Sequence, residues 1–300
     1  LASDDQTQFI ESIDARYHGS DSFAISTGFD DLDRKLNGGM RRGCLIVVAA
    51  RPKMGKTAFA LNIACHAAQD LSVLVLSMEM HKNSLHERNV SNLGRIPLDH
   101  VMDPKQMEGN DWEGLTRAIQ KLTTMRLSLD DQAGLTLMKV RNKAKQVKRR
   151  RGLDILVIDY LQLMSADSSS NGKNRNSEIE FITRGLKTLA KEMDMVVILL
   201  SQLNREVEKR TNKRPLPSDL RDSGSIEQDA DICMFLYRDE VYNLDSMDKG
   251  VCEVDVALNR QGAAGRVALA YIGAQTRFEN LHRPWVPPTI KTQPKDRGFD

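Results

Sequence analysis

Apolar positions along the chain fall into two alternating rhythms. The first is the short unbroken run: Leu45-Ile46-Val47-Val48, Val73-Leu74-Val75-Leu76, Ile155-Leu156-Val157-Ile158 and Val196–Leu200. A run with no polar break predicts a strand buried on both faces. The shorter Arg126-Leu127-Ser128-Leu129 is a fifth candidate. The second rhythm is helical spacing, near 55–68, 82–93, 135–150 and 177–192, each after one of these runs. Strands alternating with helices predict an α/β fold: a mainly parallel twisted sheet flanked by helices. Past residue 230 the style changes. Ile232–Tyr237, Cys252–Leu258 and Val267–Ile272 are strand candidates with short connections, expected as antiparallel strands at one sheet edge.

The ends differ from the middle. Residues 1–22 read as a linker helix and linker, with Phe9, Ile10 and Ile13 on one helical side and the linker at His18–Ser22. Such a helix is too short to be stable alone and is expected to dock on something. Residues 23–282 read as one domain. The tail 283–300 holds Pro284, Pro287, Pro288 and Pro294 with little periodicity, and reads as disordered. The chain begins with Leu1 and shows no secretory signal, so it reads as a fragment or a processed product.

Composition narrows the function classes. The longest apolar runs, Cys44–Ala50 and Met195–Leu200, are too short to cross a bilayer. Lys plus Arg number 43 and Asp plus Glu 41, a net +2, which excludes a bulk polycation but not local basic patches. The 4 cysteines (Cys44, Cys65, Cys233, Cys252) form no close pair and sit in or beside apolar segments. They read as buried thiols rather than a zinc site or disulfide frame.

The sharpest chemical signal is Ala50-Arg51-Pro52-Lys53-Met54-Gly55-Lys56-Thr57, between a buried strand and a helix. That context suits a phosphate-binding loop. Gly55 allows close backbone approach, Lys56 can bridge outer phosphates, and Thr57 can place a hydroxyl on magnesium. Ala50 departs from the glycine usual there. Asp159 ends a buried strand, where a carboxylate faces the ligand crevice and can hold the same magnesium ion. Glu79 follows another strand and suits either a base for an attacking water or a helix-start carboxylate. Gln202 ends the Val196–Ser201 run, where its amide could reach a terminal phosphate.

After Gln202 comes a polar stretch, about 204–224, with Arg205, Lys209, Arg210, Lys213, Arg214 and Arg221. It suits a nucleic-acid backbone or a solvated loop. Ser165–Ser177, with Lys173 and Arg175, is a weaker case of the same kind. Lys139–Arg151 has eight basic residues and no acid, and reads as a solvated helix face.

Taken together, these motifs resemble the replicative DNA helicases of the DnaB type, among the RecA-like ring helicases, over nearly the whole chain. The resemblance rests on residues 49–57, on Leu76-Ser77-Met78-Glu79-Met80, on Ile158–Met164, on Leu200–Arg205 and, most specifically, on Ser218–Asp231. The family's own phosphate loop often has alanine at the position of Ala50. The resemblance implies a RecA-like P-loop ATPase using ATP and Mg2+ at subunit interfaces of a ring, expected to be hexameric. The ring would translocate on single-stranded DNA and unwind duplex by excluding one strand. It implies contact with nucleotide by Arg51, Pro52, Lys53, Met54, Gly55, Lys56 and Thr57, and a metal site at Thr57 and Asp159. Glu79 becomes the catalytic carboxylate, Lys56 and Gln202 act on the phosphates, and Arg260 is an arginine finger given to the neighbouring subunit. Arg221, Asp222 and Gly224 become DNA contacts. The family commonly has Glu at the position of Asp222 and often Lys at that of Leu258. From spacing alone, Arg260 is an ordinary strand-end arginine. The linker helix is expected to dock on an adjacent subunit, a primase and a helicase loader are further implied partners, and the expected location is the bacterial cytoplasm or nucleoid, host- or phage-encoded. The family's helical N-terminal domain is not in this sequence. Two rival readings remain: a RecA-like recombinase filament and a low-turnover ATP-binding ring or loader component.

Overall fold

The computed structural model describes residues 24–164 and 175–286, together with Gln6, Thr7, Ile10, Glu11, Ile13, Asp14 and Tyr17. Those seven are helical, with Ile10, Ile13 and Tyr17 exposed. Phe9, the linker His18–Ser22 and most of the expected disordered tail lie outside the described residues.

The elements run β1 (Ala24–Ile25), α1 (Asp30–Lys35), β2 (Met40–Arg41), β3 (Leu45–Ala50), α2 (Lys56–Ala67), β4 (Val73–Ser77) and α3 (Lys82–Gly94). Then come α4 (Leu98–Met102), α5 (Gly109–Thr124), β5 (Leu127–Asp130), α6 (Leu137–Arg151), β6 (Ile155–Asp159), α7 (Arg175–Glu192) and β7 (Val196–Gln202). The chain ends through α8 (Gly224–Asp229), β8 (Ile232–Tyr237), β9 (Val251–Asn259), β10 (Gly265–Ile272) and β11 (Arg277–Asn280).

Among the described residues, nine strands form one sheet in the order β11-β10-β9-β8-β3-β7-β6-β4-β5. From β8 to β5 neighbours are parallel, and β8-β9-β10-β11 are antiparallel. The expected fold class holds, with β9, β10 and β11 as its antiparallel edge; β8, expected among those strands, instead lies inside the sheet and runs parallel to β3, meeting β9 antiparallel. The unbroken apolar runs are explained by two cores. In β3, Ile46, Val48 and Ala50 join the core under α1 and α2, whereas Leu45, Val47 and Ala49 join the one under α6, α7 and α8. Phe29, Phe59 and Phe278 stack within the first core, with ring centroids 5.4–6.5 Å apart.

Several elements lie outside the expected ones. α5 has an apolar row at helical spacing, Trp112, Leu115, Ile119 and Leu122, yet it buries only Gly114 and Ala118 and leaves Trp112 and Ile119 exposed. Its contact with α3 is made by backbone: a Cβ on Gly94 would lie 2.8 Å from the Gly114 carbonyl oxygen. β11 has four residues with only Phe278 buried. Among the described residues, no helix is long and apolar enough to cross a membrane. All four cysteines are free and buried, as expected.

Candidate functional site

The parallel strands β3, β4, β6 and β7 end at one edge, and their C-terminal residues face a common cleft. The loop after β3 turns through Lys53 (φ 69°) and Gly55 (φ 93°), both in the left-handed region. Gly55 is also crowded, since a Cβ there would meet Phe278 at 3.2 Å and Tyr271 at 3.4 Å. α2 starts at Lys56, so its first, unpaired amides open onto this loop and favour an anion.

Three side chains converge at the loop. Thr57 Oγ1 donates to Asp159 Oδ2 at 2.7 Å. Lys56 Nζ lies 3.8 Å from Asp159 Oδ1 and 4.4 Å from the centroid of the Tyr160 ring. Burial pushes the Lys56 amine below its usual range, against the pull of the Asp159 and Glu79 carboxylates. A buried ammonium of this kind is better satisfied when a polyanion enters. Asp159 is 1% exposed, and its Oδ1 has no hydrogen-bond partner. A buried, unpartnered carboxylate oxygen beside a threonine hydroxyl is a hard-oxygen pair. It fits Mg2+, which takes one or two protein oxygens and completes its shell with waters and phosphate oxygens. Among the described residues no cluster of three or more His, Cys, Asp or Glu could hold a metal unaided.

Glu79 and Gln202 line the same cleft as Lys56 and Thr57. Gln202 pairs in register with Ala50, and Gln162 braces it by accepting from its backbone amide at 3.2 Å and donating to its carbonyl at 3.2 Å. The cleft also contains Arg88 of α3, Tyr160 and Tyr271, which the sequence did not single out. Arg238 supports the loop from behind. It donates to the Lys53 carbonyl at 3.0 Å, and its guanidinium lies over the Tyr271 ring at 4.1 Å. Of these four only Tyr160 lies in a motif, Ile158–Met164, and that motif gives it no role of its own. Arg88 comes from α3, Arg238 from the end of β8 and Tyr271 from the antiparallel strand β10.

Two of the expected nucleotide-contact residues have their side chains engaged elsewhere. Arg51 touches the cleft, but its guanidinium is committed elsewhere, donating to the Leu203 carbonyl at 2.7 Å and to Glu208 at 2.9 Å. Met54 is 1% exposed and its sulfur accepts from the Arg238 amide, so it anchors the loop in the core. Pro52, Lys53, Gly55, Lys56 and Thr57 do line the cleft.

Arg260 is not in the cleft. Ala50 pairs with Leu236 and Ile46 with Ile232, and Ile232 pairs with Asn259. Arg260 therefore stands at the opposite end of the sheet, about 13 Å away along the strands and two strand spacings across. Its guanidinium donates to the Gln228 carbonyl. Leu258 packs against the core under α6 and α7, which accounts for an apolar residue there.

The polar stretch after Gln202 is more ordered than a solvated loop. It forms 3-10 turns at Arg205–Lys209 and Pro217–Ser223. Arg210 pairs with Asp219 at 2.6 Å, and Arg214 grips Glu253, which is 3% exposed, at 2.5 Å. These two arginines are committed to the fold. The backbone of Arg221, Asp222 and Gly224 lies at the join of the second turn with α8, and their side chains lie outside the described residues. So do residues 165–174, including Lys173. On α6, Arg141 pairs with Glu192, Lys143 pairs with Asp130, and Lys148 donates to the Met193 carbonyl.

Comparison with known proteins agrees with this geometry. The family model described as "DnaB-like helicase C terminal domain" matches residues 24–280. "Replicative DNA helicase DnaB" of Pasteurella multocida is 46% identical over 261 residues, covering 86% of this chain and 55% of that protein. The chain thus spans about half the length of the curated relatives it matches. A solved structure described as an ATPase domain superposes with a TM-score of 0.85 at 38% identity, covering 92% of this chain and 98% of the other. "The Structure Of A DnaB-Like Replicative Helicase And Its Interactions With Primase" gives 0.84 at 38% identity, covering 91% and 66%.

Proposed function

This chain belongs to the DnaB-like helicase C-terminal domain family, and from that premise we propose that it is a ring motor. It hydrolyses ATP between subunits, translocates on single-stranded DNA and unwinds duplex by strand exclusion. One asymmetry carries the reading. Lys56, Glu79 and Gln202 line one cleft, and Asp159 meets Lys56 and Thr57 at its base, whereas Arg260 stands at the far end of the sheet. The cleft has Arg88 of its own chain but not Arg260, which a second copy can supply, as in a closed ring of six.

Lys56 and the first amides of α2 hold the outer phosphates of ATP. Thr57 and Asp159 would hold magnesium, which when bound neutralises charge on the β- and γ-phosphate oxygens. Glu79, exposed to the cleft, orients the attacking water and takes its proton. Arg88 supplies a further cation to the same cleft, and Arg260 of a neighbouring copy stabilises charge developing on the transferred phosphoryl group. Gln202 senses the terminal phosphate and passes the change to the stretch that carries Arg221. Arg221, Asp222 and Gly224 then grip the strand backbone, where cationic contacts give affinity without sequence choice.

In this reading residues 23–282 are the motor and the N-terminal helix docks on an adjacent subunit. A primase and a loader act with the ring on DNA in the cytoplasm. Forked-duplex unwinding with ATP and Mg2+, set beside a non-hydrolysable analogue, tests the activity: strand release with ATP alone is expected. Particle images with the analogue and single-stranded DNA separate the rivals. Rings support the proposal; open-ended filaments would favour a recombinase.

A further inference from the structure

We propose that the Arg51–Glu208 ion pair links the phosphate loop to the DNA-gripping stretch, with Glu208 as a positioning residue that makes DNA affinity depend on the bound nucleotide. The inference rests on the function proposed above.

Arg51 is the first residue after β3, so its backbone belongs to the phosphate loop. Its side chain is 8% exposed and reaches away from the phosphates. One arm donates to the carbonyl of Leu203, the residue after Gln202; the other reaches Glu208 in the Arg205–Lys209 turn. A single planar guanidinium therefore holds the loop, the end of β7 and the polar stretch in one geometry. A lysine could not reproduce this fork. The Arg51 hydrogen bond holds the Glu208 carboxyl below its usual range, so the pair is charged at neutral pH.

Beyond Glu208 the stretch is tied to itself through Asp219 and to strand β9 through Glu253. Asn204 donates its amide to the Asp219 carbonyl at 3.1 Å, Arg210 pairs with Asp219, and Arg214 is locked to Glu253. The route from Glu208 to the Pro217–Ser223 turn, which contains Arg221, runs through the Asp219 ties to Asn204 and Arg210, while Arg214 fixes the neighbouring segment to β9. A cleft lined by Arg51, Gln162, Gln202, Arg205, Asp219 and Leu220 lies between the end of β7 and this stretch. Packed networks with two arrangements are what carry coupling between sites.

The test measures the affinity of the full chain for an oligo-dT strand with ADP and with a non-hydrolysable ATP analogue. The ratio of the two affinities is the coupling. Glu208→Ala should bring that ratio toward one, by at least about fivefold, while nucleotide affinity without DNA stays within about twofold. Glu208→Gln, which keeps an acceptor for Arg51 and loses the charge, should give an intermediate ratio. An unchanged ratio in the alanine variant would overturn the link. So would a parallel fall in DNA-free nucleotide affinity, since that marks a merely structural brace. If the alanine variant loses its cooperative melting transition, the glutamine variant decides by the same ratio. A wild-type chain with no nucleotide dependence of DNA affinity would overturn the proposed function itself. Dependence retained in wild type and in both variants would overturn the link alone.

Discussion

Thr57 and Asp159 lie 102 residues apart, and the parallel sheet brings the Thr57 hydroxyl to 2.7 Å from Asp159 Oδ2. The other carboxylate oxygen is left buried beside Lys56 without a hydrogen bond. Asp159→Asn keeps a side-chain group for Thr57 to bond and removes the charge a divalent cation needs. The expected result is a folded protein in which magnesium no longer tightens binding of an ATP analogue, with at least about tenfold of the metal dependence lost. Titrations with and without Mg2+ measure this. Undiminished metal dependence would remove Asp159 from the metal site.

Lys56→Ala and Glu79→Gln should fail differently. The first removes the cation nearest the phosphates and should weaken nucleotide binding as well as hydrolysis. The second is nearly isosteric and cannot act as a base. It should bind the nucleotide normally and lose turnover by about a hundredfold or more. Appreciable hydrolysis by Glu79→Gln would take Glu79 out of the mechanism.

The legible part of the fold follows from its physics. A sheet covered on both faces writes unbroken apolar runs, so β3, β4, β6 and β7 can be read directly. The packing face of α5 cannot, because glycine and alanine make its buried contacts while its apolar row of Trp112, Leu115, Ile119 and Leu122 does not fill the core, and neither can β11, which buries one residue. Within the site, Gly55, Lys56, Thr57, Asp159, Glu79 and Gln202 are adjacent to strand ends and are visible there. The engagement of the Arg51 side chain is not legible there because its partners, Leu203 and Glu208, are 152 and 157 residues away. Arg238 arrives at the end of β8, parallel beside β3, and Tyr271 through the antiparallel β10, pairings whose register no local pattern reveals.

Arg221→Ala should weaken binding of single-stranded DNA about equally for all base compositions and lower the salt slope by roughly one contact's worth. Hydrolysis without DNA should persist. Binding isotherms at several salt concentrations check this, and an unchanged affinity and slope would rule out the assigned contact.

Burial pushes the Cys65, Cys233 and Cys252 thiols up to about 12. In the unfolded chain each ionises near pH 8.5. Between that value and about 12 the unfolded state binds fewer protons than the folded one, so stability is full below roughly pH 8.5 and falls as pH rises. Each thiol contributes about 1.4 kcal/mol per pH unit within that window. Urea midpoints should drop between pH 8 and about pH 10.5, and folded protein at pH 8 should resist thiol reagents. A constant midpoint, or fast labelling, would contradict this.

Mixing two inactive variants tests most directly whether each ATP site is shared between two copies. Arg260→Ala keeps an intact phosphate loop and should bind ATP but hydrolyse it about a thousandfold more slowly or worse. Lys56→Ala loses its own site but still offers Arg260 to a neighbour. Within one mixed ring, the correct junction of the two variants rebuilds a complete site. The measurement is DNA-free ATP turnover of mixed rings whose composition is verified by mass. Recovery of hydrolysis well above either pure variant is predicted. No recovery in verified mixed rings would contradict the shared site and place the function of Arg260 within its own chain.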